Sequence, residues 1–227
     1  MADVNKVFSY LENPKDGEAF INSCKTLIPC PVSLRQNLLR MIQKEIKFAQ
    51  KGNPASIILK VNSLSDEELI FKLYDAAKAG VTIKLIVRGI FCMLTENKKF
   101  IIPVQAISIV DEYLEHARVF IFNNGGKERV FISSADWMVR NIDHRVEVTC
   151  PIFNNDIKKV LKTILGIQLN ANVKARILNN ELTNEYVKAN GKKVRAQVEI
   201  YNYLHSAVKA LPENEKETVM PAVVYTG

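Results

Sequence analysis

Residues 56–88 read SIILKVNSLSDEELIFKLYDAAKAGVTIKLIVR, and this stretch decides the fold. Residues 56–61 (SIILKV) are an apolar run of strand length, the pattern of a buried strand. Ser65-Asp66-Glu67-Glu68 then opens a helix with its carboxylates in the first turn. That helix runs to Lys78, and Gly80 stops it. Residues 81–87 (VTIKLIV) form the next strand. Strand, helix and strand joined by short connections predict a right-handed parallel βαβ unit. In open α/β sheets ligands gather at the carboxyl ends of such strands. Two polar residues stand there: Asn62 after the first strand and Arg88 after the second.

Upstream, residues 3–12 (DVNKVFSYLE) place Val4, Val7, Phe8 and Leu11 on one helical face, and Asn13-Pro14-Lys15-Asp16-Gly17 is expected to break that helix. Residues 26–31 (TLIPCP) predict a short edge strand, because proline cannot donate to a central ladder. Ser33 is expected to cap a long helix to about Gln50, ended by Gly52-Asn53-Pro54. Downstream, residues 89–102 read as a loop and 104–109 as a strand. Within 107–151, the runs HARVFIF, ERVFIS and RVEVTC read as adjacent strands, the first two joined by a hairpin at Gly125-Gly126. Residues 154–169 form an amphipathic helix, 170–187 look helical in part, 192–199 begin an extended or helical element, and 200–210 form a final helix. The expected division is a linker helix over 1–25, one domain over 26–211, and a flexible tail over 212–227.

The 227 residues are 48% hydrophobic, enough for a true core, so bulk disorder is excluded. A net charge of +7 admits polyanionic partners, though a solvated basic surface is the plainer explanation. Cys24, Cys30, Cys92 and Cys150 form no CxxC pair and match no zinc spacing, and they read as reduced core or strand thiols of a cytoplasmic protein. No apolar run approaches the roughly 18 residues of a membrane span, and the N-terminus lacks a secretory pattern.

The segment 107–151 carries two of the three histidines and the single Trp. His116 lies two residues before Arg118, which in a strand puts imidazole and guanidinium on one face. That pairing suits a phosphate pocket, and equally a surface histidine at a strand start. Arg88 could fork two donors toward an anion, or pair with Glu115 or Asp111. Ser133-Ser134-Ala135-Asp136-Trp137 could offer hydroxyls and backbone N–H groups to an oxyanion, or simply cap a turn over the Trp. Arg140, Asp143, Arg145 and Glu147 alternate in sign and read mainly as structural ion pairs. His144 and His205 read as structural or exposed. No nucleotide-cradling glycine motif and no metal-ligand cluster is evident.

Five stretches together resemble long-chain bacterial polyphosphate kinase in its C-terminal domain: 60–64 (KVNSL), 79–89 (AGVTIKLIVRG), 108–118 (SIVDEYLEHAR), 133–145 (SSADWMVRNIDHR) and 172–176 (NVKAR). The resemblance covers roughly residues 3–200. It implies an α/β fold of the phospholipase D type, a mixed sheet flanked by helices, with a helical C-terminal extension. His116-Ala117-Arg118 resembles that superfamily's HxK motif with arginine in the lysine position, and 133–136 resembles its GSxN turn.

The resemblance also implies chemistry. The family moves the γ-phosphoryl of ATP reversibly to polyphosphate through a histidine, and that histidine lies in the first of two such domains, which would precede Met1. His116 matches the second domain's histidine, and Arg88 matches a contact to the ATP phosphates. Arg118, Ser133 and Ser134 would complete or support the pocket. Magnesium would arrive with the nucleotide, held mainly outside this chain. The implied partners are ATP or ADP, inorganic polyphosphate, the kinase's N-terminal domains and further copies in a homo-oligomer, with no nucleic acid. The implied location is the cytoplasm or the inner-membrane surface, and the isolated chain is expected to be inactive. Competing readings are a phospholipase D-type phosphodiesterase or nuclease half-site, and a non-enzymatic polyanion-binding module. The family's Arg-Pro-Gly pattern after the VRG arginine is missing from 90–99 (IFCMLTENKK), and His144 stands where the family has arginine, so neither receives a role.

Overall fold

The computed structural model describes residues 2–189 and 191–209. The βαβ unit is as expected: β2 (Ser56–Val61) and β3 (Thr82–Val87) pair in parallel, joined by α4 (Glu67–Lys78). Asp66 caps α4 by accepting from the Leu69 amide at 3.1 Å. Around this unit an eight-stranded mixed sheet is built, in the order β1 (Ile28–Pro29), β7 (Val148–Ile152), β6 (Arg129–Ser133), β5 (Arg118–Phe122), β2, β3, β4 (Gln105–Ile109), β8 (Ala175–Ile177). The strands β2, β3 and β4 are parallel, and every other pairing is antiparallel.

One face is covered by α3 (Leu34–Gln50) and α4. Leu38 and Ile42 of α3 and Leu69 and Leu73 of α4 pack on Leu59, Leu85, Phe120 and Phe131. Leu165 of α6 (Asn155–Leu169) and Ala196 of α7 (Ala196–Lys209) belong to the core of the other face, with Ile86, Ile107, Val119 and Val130. Alternation along β5 divides the two cores: Phe120 and Phe122 look one way, Val119 and Ile121 the other. The β5–β6 hairpin turns through Asn124–Gly126. There Gly125 has φ +64, and a Cβ would meet the Phe48 ring at 2.7 Å, so glycine is required twice over.

Three expectations are corrected. Asn13 does end α1 (Ala2–Glu12), but Pro14 opens a second helix, α2 (Pro14–Asn22), because proline at the first helical position forfeits no intrahelical bond. The Asp3 carboxylate ties this helical pair back to the domain by accepting from the amides of Lys25, Thr26 and Leu27. The segment 170–187 holds the short edge strand β8 and no helix; Lys174, Leu182 and Asn184 take positive φ, which a helix excludes. The last strand of the 107–151 segment begins at Val148, three residues later than expected, where pairing with β6 sets Thr149 opposite Ser133. The flexible tail expected at 212–227 lies outside the described residues.

The thiols are all free. Cys30 is buried and Cys150 lies in β7, but Cys92 is exposed on the loop after β3. Among the described residues no helix is long and apolar enough to cross a membrane.

Candidate functional site

The polar residues singled out above converge on one end of the sheet. β5 runs antiparallel to β2, so its start lies at the carboxyl end of β2, and Arg118 is paired with Ser133 at the end of β6. The loop after β2 is strapped on both sides. Gly89 donates its amide to the Asn62 carbonyl at 2.7 Å, and Leu64 donates to Ile90 at 2.8 Å. From the other side Trp137 donates to the Ser63 carbonyl at 3.2 Å, and its own carbonyl accepts from Ser65 and Asp66. A Cβ at position 89 would sit 3.0 Å from the Asn62 carbonyl, so glycine lets the two strand-end loops approach.

Asp136 is the hub. Its carboxylate accepts from the amides of Asn62 (2.8 Å) and Ser63 (3.1 Å) and takes both Nε and Nη2 of Arg118 at 2.9 Å. Burial pushes this carboxyl up, but the Arg118 guanidinium and the two amides outweigh it and leave the group below the usual carboxylate range. Arg118 is therefore a half-buried cation paired with Asp136. The strand also begins at Arg118, so the same-face spacing does not extend back to His116. His116 is exposed, with no hydrogen bond to its ring among the described residues, while its carbonyl accepts from Arg118 Nη1 at 3.3 Å.

Arg88 behaves differently. Its Nη2 donates to the Asn62 side-chain oxygen, its Nε is buried without a partner, and it forms no ion pair among the described residues. Both carboxylates that might have neutralised it are taken. Glu115 pairs with Lys60 at 2.7 Å, and Asp111 with Arg195 at 2.8 Å. Arg195 also reaches Glu112 at 3.1 Å. Asp111, Glu112, Glu115 and Asp136 thus share three cations, Arg195 serving the first two, and Arg88 pairs with none of them. Leaving a buried charged donor unsatisfied costs more than the roughly 1–3 kcal/mol of a neutral one. Such an arrangement can receive an anion.

The serines are largely committed to the turn. Ser133 Oγ accepts from the Ala135 amide at 3.1 Å and shares a 2.7 Å bond with Thr149. Ser134 Oγ accepts from the Val148 amide at 3.0 Å, leaving its proton toward solvent on an exposed residue. Trp137 beneath them is fully buried, edge-on to Phe120. Of the alternating charges, Asp143 pairs with Arg35 rather than within its own run, and Glu147 accepts from Asn141. Arg140 and Arg145 are exposed, and His205 stacks on Tyr201.

The residues present do not fit a resident magnesium ion. Among the described residues no three His, Cys, Asp or Glu side chains cluster as metal ligands, and the carboxylates of this rim are spent on cations. Sequence reasoning missed Lys60, Arg195 and Gln197. A lysine inside the apolar SIILKV was a visible signal; the other two lie over 80 residues from their partners and gave none.

A mixed sheet, parallel at its centre and flanked by helices on both faces, defines an α/β domain. The profile of the polyphosphate kinase C-terminal domain 2 matches residues 27–197, and the chain belongs to that family. It is 45% identical over 206 residues to the polyphosphate kinase of Escherichia coli K12, covering 90% of this chain and 29% of that relative. It is 44% identical over 209 residues to the polyphosphate kinase of Vibrio cholerae, covering 92% of this chain and 29% of that relative. A crystal structure of polyphosphate kinase from Porphyromonas gingivalis matches with a TM-score of 0.86 at 38% identity, over 92% of this chain and 32% of that one. The chain therefore spans under a third of the length of these relatives.

Proposed function

We propose that this domain forms one wall of a reversible phosphoryl-transfer site that passes the γ-phosphate of ATP to inorganic polyphosphate and back to ADP. The observation that carries this reading is Arg88: a cation at a strand's carboxyl end, aimed by Asn62 and matched by no carboxylate among the described residues. Phosphoryl transfer spreads negative charge over the equatorial oxygens, so fixed cations contribute most of the catalysis a protein can offer. Arg88 clamps a phosphate of the nucleotide or of the growing chain. His116, exposed and unpaired at its ring among the described residues, donates a hydrogen bond to the phosphoryl oxygens or exchanges a proton with the leaving oxygen. Arg118 supports the site through Asp136, Ser133 shapes the turn, and Ser134 has a hydroxyl proton to offer.

Magnesium enters as part of the nucleotide substrate, and its protein ligands, like the histidine that carries the phosphoryl group, belong to the remaining two-thirds of the kinase. Those domains and further copies of the kinase are the partners, and a nucleotide substrate sets the location in the cytoplasm. On this reading the 227-residue chain alone synthesises little polyphosphate; turnover matching that of a full-length enzyme would count against it. The direct test is Arg88→Ala in a full-length kinase carrying this domain. Loss of the clamp removes about 2–4 kcal/mol of transition-state stabilisation and lowers kcat/KM accordingly, as for other oxyanion donors. An unchanged kcat/KM refutes the role.

A further inference from the structure

Residues 111–115 lead from β4 to His116 without regular structure. Apolar packing does not hold them, since Tyr113 is 68% and Leu114 73% exposed. Two side chains at the start of α7 do. Arg195 grips both oxygens of Asp111 at 2.8 and 2.9 Å and reaches Glu112 at 3.1 Å. Gln197 closes a backbone pair on Tyr113, accepting its amide at 3.0 Å and donating to its carbonyl at 2.8 Å, and donates to Glu115 at 3.2 Å. Four of the five residues before His116 are thereby tied to two residues of the C-terminal extension. The helix itself is fixed, because Ala196 is buried in the core between these two.

We propose that Arg195 and Gln197 are positioning residues of the phosphate site, bracing the segment that delivers His116 while Arg195 offsets one of the two negative charges of Asp111 and Glu112 that would repel a polyanion. This rests on the phosphate reading of Arg88 and His116. The two braces act differently. Gln197 makes only neutral contacts apart from its bond to Glu115, so its effect is conformational. Arg195 adds a charge to a rim otherwise carrying two uncompensated negatives, so its effect is screened by salt.

The experiment uses the 227-residue chain, inorganic tripolyphosphate as the probe, and two readouts: amide exchange residue by residue, and calorimetric affinity at low and high salt. Gln197→Ala speeds exchange at Tyr113 by at least about tenfold while leaving Leu59 in β2 protected, a local opening. It weakens tripolyphosphate binding by about threefold or more at either salt concentration. Gln197→Glu keeps the shape but sets a second carboxylate against Glu115 and the Tyr113 carbonyl, so it speeds exchange at Tyr113 without opening a cavity and weakens binding more at low salt than at high. Arg195→Ala weakens binding by about tenfold at low salt and by less at high salt, and Arg195→Lys recovers part of the loss. Faster exchange at Tyr113 with unchanged affinity would make the brace merely structural, and unchanged exchange would remove it altogether. Arg88→Ala separates the two readings. If it weakens binding while the brace variants do not, only the brace fails. If it too binds like the parent chain, the phosphate reading fails.

Discussion

Arg118 and Asp136 meet through two parallel hydrogen bonds, Nε to Oδ1 and Nη2 to Oδ2, both 2.9 Å, with the side chains only 13% and 6% exposed. The pair ties the start of β5 to the turn after β6, and through the remaining capacity of Asp136 it fixes the loop after β2. Removing one partner of a buried pair leaves the other charge uncompensated. Arg118→Ala therefore lowers unfolding free energy by about 3–5 kcal/mol in urea titrations. Arg118→Lys keeps the charge, loses the bidentate fork, and falls between the two. A loss below about 1 kcal/mol for the alanine variant would mean the pair behaves as an exposed one.

Acid should expose the same linkage. The folded-state carboxyl of Asp136 is held low, against burial, by Arg118 and the amides of Ser63 and Asn62. Its contribution is complete above the unfolded value of about 3.9 and is lost as pH falls through the lower folded value. Asp3, lowered to about 2 mainly by the Thr26 amide, acts in the same direction. Urea midpoints measured from about pH 6 down to pH 2 should fall more steeply for the parent chain than for Asp136→Asn, which begins less stable but lacks this titration. Parallel curves would remove Asp136 from the acid response.

Thiol reactivity separates the cysteines by position. Cys30 is fully buried, and its thiol is pushed up to about 12, first by burial and then by Glu147 and Asp143. Cys92 is exposed on the loop that follows Arg88. Iodoacetamide should label Cys92 in the native chain and reach Cys30 only at the rate of unfolding. Equal labelling would show that the region around β1 and α3 opens.

The opposite end of the sheet supplies the control. Glu45 is fully buried and accepts from the amides of Ser56 (3.1 Å) and Asn124 (2.5 Å). Burial raises its carboxyl pKa although both amides oppose the shift. Glu45→Ala strands two amides and costs about 2–4 kcal/mol, and Gly125→Ala, clashing with Phe48, costs about 1–3 kcal/mol. Neither should change tripolyphosphate affinity under conditions where the chain stays folded. A selective loss of affinity would mean the two ends of the sheet are coupled.

Much of this was legible in the residues. The βαβ unit over 56–88 was readable because apolar runs, a capped helix and a stop glycine all agree locally. Arg88 stood out as a candidate because it follows directly on a mainly apolar strand. What could not be read depends on distant partners. Nothing near Arg118 announces that Asp136 will claim its Nε and Nη2 donors. The Asn13-Pro14 pair signals a break, but proline opens helices as readily as it closes them, and α2 was lost to that ambiguity. The segment 170–187 has too weak a period to separate a three-residue edge strand from a helix. The bracing of 111–115 by Arg195 and Gln197 joins residues 84 positions apart, a distance no local pattern reports.

The account stands most directly on the bare arginine, and calorimetric titration of inorganic tripolyphosphate into the parent chain and into Arg88→Ala tests it. Loss of a charge-assisted donor pair should weaken binding by at least about tenfold, with the urea midpoint unchanged or raised, because among the described residues Arg88 makes no ion pair and its buried Nε has no partner. Equal affinity for the two proteins, or no binding by the parent chain, would contradict the assignment of this strand end as a phosphate site.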